Sequence, residues 1–156
     1  MVDKKTVAHA GGKPDKHDIQ KIGEYLVAAE LHKKGFKVGI LSGTLKDFDI
    51  LVHDPKLNKH VGVEARTQQT SRKMTPPTGC FTKPPERTNY PIIFVIVNFE
   101  VDGKRFFIIP SDVIRKRQIT GTDDNYPKWK GTYWINRDDY VEFENRWDLL
   151  WEESVE

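Results

Sequence analysis

The sequence contains a single cysteine, Cys80, and lacks any long apolar run. One cysteine excludes an internal disulfide and a thiolate zinc site, so the chain is expected to fold by packing alone in a reducing compartment, the cytoplasm. The longest apolar stretch, residues 90–99, is broken by Pro91 and Asn98 and has about half the length that a membrane span needs. No apolar segment of a secretion signal follows the Lys-rich N-terminus. We therefore expect no membrane partner.

The chain also lacks internal repeats and low-complexity tracts. Its 156 residues are 37% hydrophobic and 31% charged, which suits one domain, because a chain of this length buries about 70% of its unfolded surface in a single core. Residues 1–15 have too little apolar surface to offset chain entropy. They are predicted to form a flexible N-terminal arm ahead of a single domain at residues 16–156.

Charge is distributed unevenly along the chain. Residues 137–156 carry eight acidic residues against two arginines, a net charge of −6, although the whole chain has a net charge of +2. Residues 1–136 therefore carry +8, and an excess of that kind on most of a small domain favours a polyanionic partner. The alternative is a solvated surface on which both signs are mixed.

The hydrophobic periodicity predicts an α/β domain. Residues 16–34 have the apolar spacing of a helix that ends at Gly35. Three β-rich runs separated by turn sequences follow, and a continuous apolar strand then forms the centre of the sheet and turns at Asp102-Gly103 into its partner. The predicted strands are residues 36–41, 48–52, 61–67, 90–100 and 105–109.

The remaining segments are less regular. The loop at residues 69–89 is longer than ordinary connections, which indicates a functional or disordered segment or an unrecognised element. Ser111 is predicted to cap a short helix that runs to Gln118. A strand at residues 133–135 and a last helix after Asn136 complete the prediction.

The strands at residues 48–52 and 61–67 bring acidic side chains together. If their turn is centred at residues 56–57, Asp49 faces Glu64 across the antiparallel pair. Alternation then separates a polar face from an apolar face. The polar face would carry Asp47, Asp49, Leu51, Glu64, Arg66 and Gln68, and the apolar face Phe48, Ile50, Val52, Val63 and Ala65.

Such a pair of carboxylates calls for a positive charge between them. Two ionised carboxylates about 5 Å apart repel by about 3 kcal/mol at an effective dielectric of ~20. Mg²⁺ or Mn²⁺ fits between Asp49 and Glu64, because such a cation is held by one or two carboxylates and completes its shell with water and substrate phosphate. Arg66, on the same face as Glu64, is the competing source of charge.

The first helix presents a further acid. Glu24 is the first of a row of residues that share one face of the helix, and the other residues of that row are apolar. A carboxylate on such a face needs a polar or charged partner. Glu24 could complete a three-acid cluster, or it could pair with Lys21 or a strand backbone. Glu30 also lies among apolar neighbours, so the positions of Glu24 and Glu30 on the helix do not show which of them joins the other two acids.

Several segments together resemble one known superfamily. They are Gly23-Glu24, Asp49-Ile50-Leu51-Val52, Glu64-Ala65-Arg66-Thr67, Phe106-Phe107-Ile108-Ile109-Pro110-Ser111 and Asn145-Arg146-Trp147-Asp148-Leu149-Leu150. Over about residues 20–150 the chain is similar to the restriction-endonuclease-like PD-(D/E)XK nuclease superfamily and to its small, mostly uncharacterised prokaryotic members. The resemblance implies an αβββ core with a central mixed sheet, extended by a β-hairpin and flanked by helices.

The resemblance also implies roles for the acids. Asp49 and Glu64 would be metal ligands, and Glu24 would be the helix acid of the same metal site. Phe48 stands where the superfamily's name-giving proline would be, a change that members of the superfamily often show.

Arg66 departs from the superfamily pattern, since a lysine is expected there. A lysine ammonium can position and activate an attacking water, whereas a guanidinium stays protonated and acts mainly as a phosphate clamp. Gln68 or Lys73 would then have to orient the water. The run of donors after the strand adds contacts suited to phosphate oxygens. The expected nucleic-acid-binding residues are Lys46, Arg66, Arg72 and Lys73.

The resulting hypothesis is Mg²⁺- or Mn²⁺-dependent hydrolysis of phosphodiester bonds in DNA by an endonuclease, with RNA as the alternative substrate. By analogy with nucleases that cut both strands, a homodimer is expected. One alternative is a catalytically inactive nuclease-like module for nucleic-acid binding or assembly, which the substitution at Arg66 favours. Another is a protein-interaction domain that binds neither metal nor DNA. His53 and His60 lack a third ligand, so zinc is not expected.

Overall fold

A computed structural model describes residues 12–41, 48–71, 80–81, 91–131 and 133–151 of the chain. In chain order its helices are α1 Lys16–Lys33, α2 Ser111–Arg117 and α3 Arg137–Tyr140, and its strands are β1 Lys37–Ile40, β2 Ile50–Asp54, β3 Lys59–Gln69, β4 Cys80–Phe81, β5 Ile92–Asn98, β6 Gly103–Ile109, β7 Ile119–Thr120 and β8 Tyr133–Ile135. Short 3-10 helices are formed by Pro127–Trp129, Val141–Phe143 and Trp147–Trp151. In this part of the chain, no helix has the length and apolar character needed to cross a membrane.

Helix α1 begins and ends where its sequence signals place it. The Asp15 carboxylate accepts the Asp18 N–H at 2.9 Å, and the Asp15 N–H donates back to the Asp18 carboxylate at 3.0 Å. This reciprocal pair satisfies two N–H groups that the first turn leaves without helical partners. The helix stops before Gly35, whose φ of +90° is favourable for glycine alone. The predicted helix is therefore confirmed.

The main sheet has five strands in the order β1-β2-β3-β5-β6. β3 and β5 are parallel and the other neighbours are antiparallel, so the sheet is mixed, as expected. β5 is buried along its whole length, which confirms a strand covered on both faces. However, β3 occupies the middle of the sheet. The prediction that the apolar strand is central was wrong, because burial on both faces does not require a central place.

Each face of the sheet is covered by a different part of the chain. On one face, α1 packs so closely that Gly23 lies against the Thr67 side chain of β3. On the other face, Tyr140 packs edge-on against Phe94 and Phe107, with ring centroids 5.2 Å apart in both pairs. α1 and the C-terminal segment therefore enclose the core between them, with the sheet in the middle layer.

Of three smaller expectations, the Ser111 cap is wrong, whereas an unrecognised element in the long loop and a last helix after Asn136 are both present. Ser111 is the first residue of α2 and does not cap it; Pro110 precedes the helix and makes no side-chain cap. The loop at residues 69–89 contains β4, which pairs with β8 in a second sheet of order β4-β8-β7. The last helix, α3, spans only four residues before the chain continues in 3-10 turns. Residues 1–11 of the predicted flexible arm lie outside the described ranges, and Asp15, the last residue of that arm, caps α1.

Candidate active site

Asp49 occupies the position just before β2 and is held there by three hydrogen bonds. Its N–H donates to the Val63 carbonyl, and its carbonyl accepts the Leu41 N–H, both at 2.9 Å. Its carboxylate oxygen Oδ2 accepts the Ala65 N–H at 2.9 Å. Within the described ranges, Oδ1 accepts no hydrogen bond. The Asp49 carboxylate is thus fixed against the middle strand with one oxygen available.

The hairpin of β2 and β3 has the predicted register from Ile50 to Asp54, but Asp49 precedes β2 and is not paired with Glu64, because its N–H donates to the Val63 carbonyl. Ile50 faces Val63, and His53 faces His60, whose ring stacks on it at a centroid distance of 4.2 Å. Phe48, however, is not on the apolar face. A Cβ placed on Gly62 would lie 2.7 Å from the Phe48 ring, so the ring covers the same face as Glu64.

The misplacement of Phe48 has a simple cause. Strict alternation of side chains applies only inside a paired strand. β2 begins at Ile50, so the residues before it are outside the regular pairing. The resulting contact explains the glycine at position 62, because any side chain there would collide with the aromatic ring.

Glu64 and Arg66 lie two residues apart on β3 and form an ion pair through Arg66 Nη2 and Glu64 Oε1. The Glu64 side chain is largely buried, whereas the Arg66 side chain is 42% exposed. The Nε of Arg66 is buried and has no hydrogen-bond partner among the described residues. Gln68 lies on the same side of β3, opposite Ile96, and is half-buried. Arg66 therefore supplies positive charge next to Glu64.

Glu24 is 3% exposed and is held from within its own helix. Lys21 Nζ lies 2.8 Å from Glu24 Oε2, and the Gln20 amide lies 3.4 Å from Oε1. Glu30 is more exposed and pairs with Lys33 at 2.8 Å. Packing against the sheet therefore selects Glu24 over Glu30 as the acid beside the hairpin, and the predicted pairing with Lys21 is present.

Asp49 interacts electrostatically with both of the other acids, Glu24 and Glu64. Burial raises the pKa of Asp49, the Ala65 N–H opposes that rise, and the negative charge of Glu24 adds to it. Burial also raises the pKa of Glu64, where Arg66 opposes the rise and the charge of Asp49 adds to it. Both carboxyl groups are therefore short of compensating positive charge.

The three acids do not enclose a single ion as they stand. Over the described ranges, no group of three or more His, Cys, Asp or Glu side chains is arranged to hold a metal. α1 packs on the side of β3 that carries the Thr67 side chain, which Gly23 touches, whereas Glu64 projects from the opposite side by alternation. The expected three-acid cluster is thus replaced by separate pairs, Glu24 with Lys21 and Glu64 with Arg66.

The donor set of Asp49 and Glu64 nevertheless fits a hard divalent cation. Asp49 Oδ1 and Glu64 Oε2 are carboxylate oxygens without a hydrogen bond from any described residue, and such oxygens are the ligands that Mg²⁺ and Mn²⁺ prefer. A cation beside them would relieve the conditions that raise both pKa values. Lys46, Arg72 and Lys73, the remaining expected DNA-binding residues, lie outside the described ranges.

The raised pKa values of Asp49 and Glu64 predict how stability depends on pH. A carboxyl whose pKa is higher in the folded chain binds more protons there than in the unfolded chain, at pH values between its ordinary pKa, 3.8 for Asp and 4.5 for Glu, and its raised one. The free energy of unfolding should therefore fall as pH rises through this window. Urea denaturation at a series of pH values in EDTA should show a shallower fall for Asp49→Asn than for the wild type. A fall of equal slope would contradict the prediction.

Sequence reasoning missed one residue that positions the site. Gln20 donates to the Ala65 carbonyl and approaches Glu24, so it ties α1 to the strand whose N–H binds Asp49. The available signal was spacing, because residues four apart on a helix share a face. Spacing could not reveal the strand carbonyl that accepts from Gln20.

Comparison with solved structures identifies the fold. The bacterial homing endonuclease I-Ssp6803I has a similar structure, with a TM-score of 0.57 and 12% sequence identity over 88% of this chain and 91% of that one. The Holliday junction resolvase Hjc of Archaeoglobus fulgidus matches 79% of this chain and 88% of its own, with a TM-score of 0.44 and 13% identity. No protein-family model and no curated protein matches the chain. The likeness to the homing endonuclease shows that the chain has a restriction-endonuclease-like fold, as the resemblance implied.

Proposed function

We propose that this protein is a divalent-metal-dependent endonuclease that hydrolyses phosphodiester bonds in DNA. The observation that carries the proposal is the Asp49 carboxylate, which a strand N–H fixes next to Glu64 while one of its oxygens stays available. The fold is one that DNA endonucleases use, and the sequence before residue 137 has the positive charge that a polyanion requires. Fold alone does not imply activity, so the proposal depends on the site.

In this proposal, Asp49 and Glu64 would hold Mg²⁺ or Mn²⁺, and Glu24 holds the Lys21 ammonium and the Gln20 amide on the α1 side of the site. When bound, the metal would polarise a phosphoryl oxygen and lower the pKa of water. Arg66 leaves Glu64 and donates to the scissile phosphate. The Arg66 side chain is exposed enough to make this change of partner. Gln68 lies one step further along the same side of β3 and orients the attacking water or the phosphate.

The DNA backbone also needs cations to position it. We assign that role to Lys46, Arg72 and Lys73, which adjoin the hairpin strands in sequence. Each would donate to phosphate oxygens without reading the base sequence.

A nicking assay tests the proposed function. Supercoiled plasmid and branched DNA would be incubated with the wild type and with Asp49→Ala, in Mg²⁺, in Mn²⁺ and in EDTA. Nicking by the wild type that requires metal supports the proposal. Equal nicking by both proteins would show that the activity does not come from this site.

The ion pair of Arg66 with Glu64 favours a second candidate, a nuclease-like module that binds nucleic acid without cleaving it. A guanidinium that stays on Glu64 would occupy the place of the metal. Calorimetry separates the candidates. DNA binding that weakens with salt, without binding of Mg²⁺ or Mn²⁺ at millimolar concentration, would favour the inactive module.

Arg66→Lys is expected to raise metal-dependent nicking several-fold. A lysine ammonium is a compact charge on a flexible stem, so it competes less well for Glu64 and can help to position the water. The matched control is Arg117→Lys, because Arg117 forms an exposed ion pair with Glu142 elsewhere on the surface. Initial nicking rates of the three proteins at equal Mn²⁺ concentration measure the effect. A rate for Arg66→Lys at or below that of the control would show that the guanidinium is required.

A further inference from the structure

Lys21 connects the buried acid of α1 with an open cleft. Its ammonium lies 2.8 Å from Glu24 Oε2, while its side chain is 35% exposed. A cleft of about 380 Å³ runs along the first half of α1, and Lys13, Asp18, Lys21 and Tyr25 are among its lining residues. Lys21 therefore belongs to the candidate active site on one side and to this α1 cleft on the other.

The Lys21 ammonium has donors to spare. It carries three N–H groups, and Glu24 accepts one of them. Its other N–H groups have no acceptor in the described part of the chain. Because the side chain is partly exposed at the cleft, these donors can reach an acceptor that arrives from solvent.

The charges around the cleft favour an anionic acceptor. Lys13 is a second cation in the lining, and the lining acid, Asp18, accepts the N–H of Asp15. Tyr25 is 61% exposed at the cleft wall, so its ring is available to a ligand. This combination suits a phosphate with an attached planar group better than it suits a neutral small molecule.

A chain of hydrogen bonds links Lys21 to the candidate metal ligand. Glu24 lies 2.8 Å from Lys21 and 3.4 Å from Gln20, which donates to the Ala65 carbonyl, and the Ala65 N–H donates to Asp49. Arg66 is paired with Glu64, whereas Lys21 is paired with an acid on the other side of β3. Lys21 therefore places an ammonium group beside Glu24 from helix α1, whereas position 66 of β3 carries an arginine in place of the expected lysine.

We propose that Lys21 binds a non-bridging oxygen of a nucleic-acid backbone phosphate that lies in the α1 cleft. This inference rests on the proposed function for the identity of the ligand, and it assigns the substrate's path past the acids. It makes Lys21 a residue that contacts the substrate, supplied by a different element from the one that carries Arg66.

A salt titration of DNA binding tests the contact without requiring cleavage. The affinity of a fluorescein-labelled duplex would be measured by anisotropy in EDTA at several salt concentrations. Lys21→Met should reduce the slope of log Kd against log salt concentration by about 1, which corresponds to one phosphate contact fewer. It should also weaken binding roughly tenfold at low salt. Lys21→Arg should restore most of the affinity, because it retains the positive charge.

Lys33→Met is the matched control, since Lys33 forms the same kind of pair with Glu30, also at 2.8 Å, on the same helix. It should leave the slope unchanged. The double variant Lys21→Met/Glu24→Gln removes both charges of the pair, so it keeps the test valid if Lys21→Met alone does not fold. It too should show the reduced slope.

The outcomes separate this inference from the proposed function. A slope for Lys21→Met equal to that of Lys33→Met overturns the inference, whether or not the wild type nicks DNA. A reduced slope supports the phosphate contact even if the wild type shows no metal-dependent nicking, in which case the proposed function fails alone. Where nicking occurs, Lys21→Met should lower kcat/KM roughly tenfold and Lys33→Met should not.

Discussion

Asp49→Asn is expected to lower metal-dependent nicking of DNA by about 1000-fold, because the charge stabilisation that a catalytic metal supplies is worth several kcal/mol, here ~4 kcal/mol. The asparagine carbonyl can still accept the Ala65 N–H that now binds Asp49 Oδ2, so the local backbone should be retained. What is lost is the negative charge that attracts the metal. Nicking rates in Mn²⁺ and calorimetric titration with Mn²⁺ measure the two effects.

The matched control for Asp49→Asn is Asp148→Asn. Asp148 is an exposed aspartate that pairs with Arg146 at 2.7 Å in the C-terminal segment, so its loss should alter neither nicking nor metal binding. The melting temperature of Asp49→Asn at neutral pH should equal or exceed that of the wild type, because the raised pKa of Asp49 indicates a carboxylate that is costly to ionise in the folded chain. Nicking by Asp49→Asn at the wild-type rate would remove Asp49 from the metal site.

Gly23→Ala is expected to lower the free energy of unfolding by about 2 kcal/mol. A Cβ at Gly23 would collide with Thr67 Oγ1 and would lie 2.8 Å from Thr67 Cβ and 2.9 Å from Thr67 Cγ2. Overpacking of this kind costs about 1 to 3 kcal/mol, which exceeds the gain of up to ~1 kcal/mol in helix propensity. Urea denaturation of both proteins measures the difference. Nicking should also fall, since the shift of α1 moves Glu24 and Lys21.

Relief by a second substitution distinguishes this collision from a general effect of glycine replacement. Thr67→Ala removes Oγ1 and Cγ2 and should itself cost little, because the buried Oγ1 has no hydrogen-bond partner among the residues described. The double variant should therefore be more stable than the sum of the single effects predicts. Gly39→Ala, where nothing lies within 4 Å of an added Cβ, serves as the control and should be close to neutral. Additive effects would mean that α1 and β3 do not meet at this point.

Much of the fold could be predicted because its signals are local. The capping residues and Gly35 locate α1, and the turn at residues 56–57 sets the register of β2 and β3. Local signals did not reveal β4, since its two residues pair with β8, more than fifty positions away in the chain. They also did not place β3 in the middle of the sheet, since strand order depends on long-range pairing.

The candidate site was predictable in part for the same reason. Asp49 and Glu64 belong to one hairpin, and the register of a hairpin follows from its turn. The position of Phe48 was not predictable, because β2 begins only at Ile50 and alternation does not extend beyond the pairing. The partners of the acids depend on rotamers and burial, which no spacing rule contains.

The sequence by itself therefore determined the α/β class, the limits of α1, the register of the acidic hairpin and the resemblance to a nuclease fold, since all of these follow from neighbouring residues and short motifs. Only the tertiary structure decided that Glu24 rather than Glu30 lies beside the hairpin, that Arg66 pairs with Glu64, and that Lys21 joins Glu24 to the α1 cleft. These features depend on how a helix and two strands pack, because packing brings together charges that are distant in the chain and removes them from water.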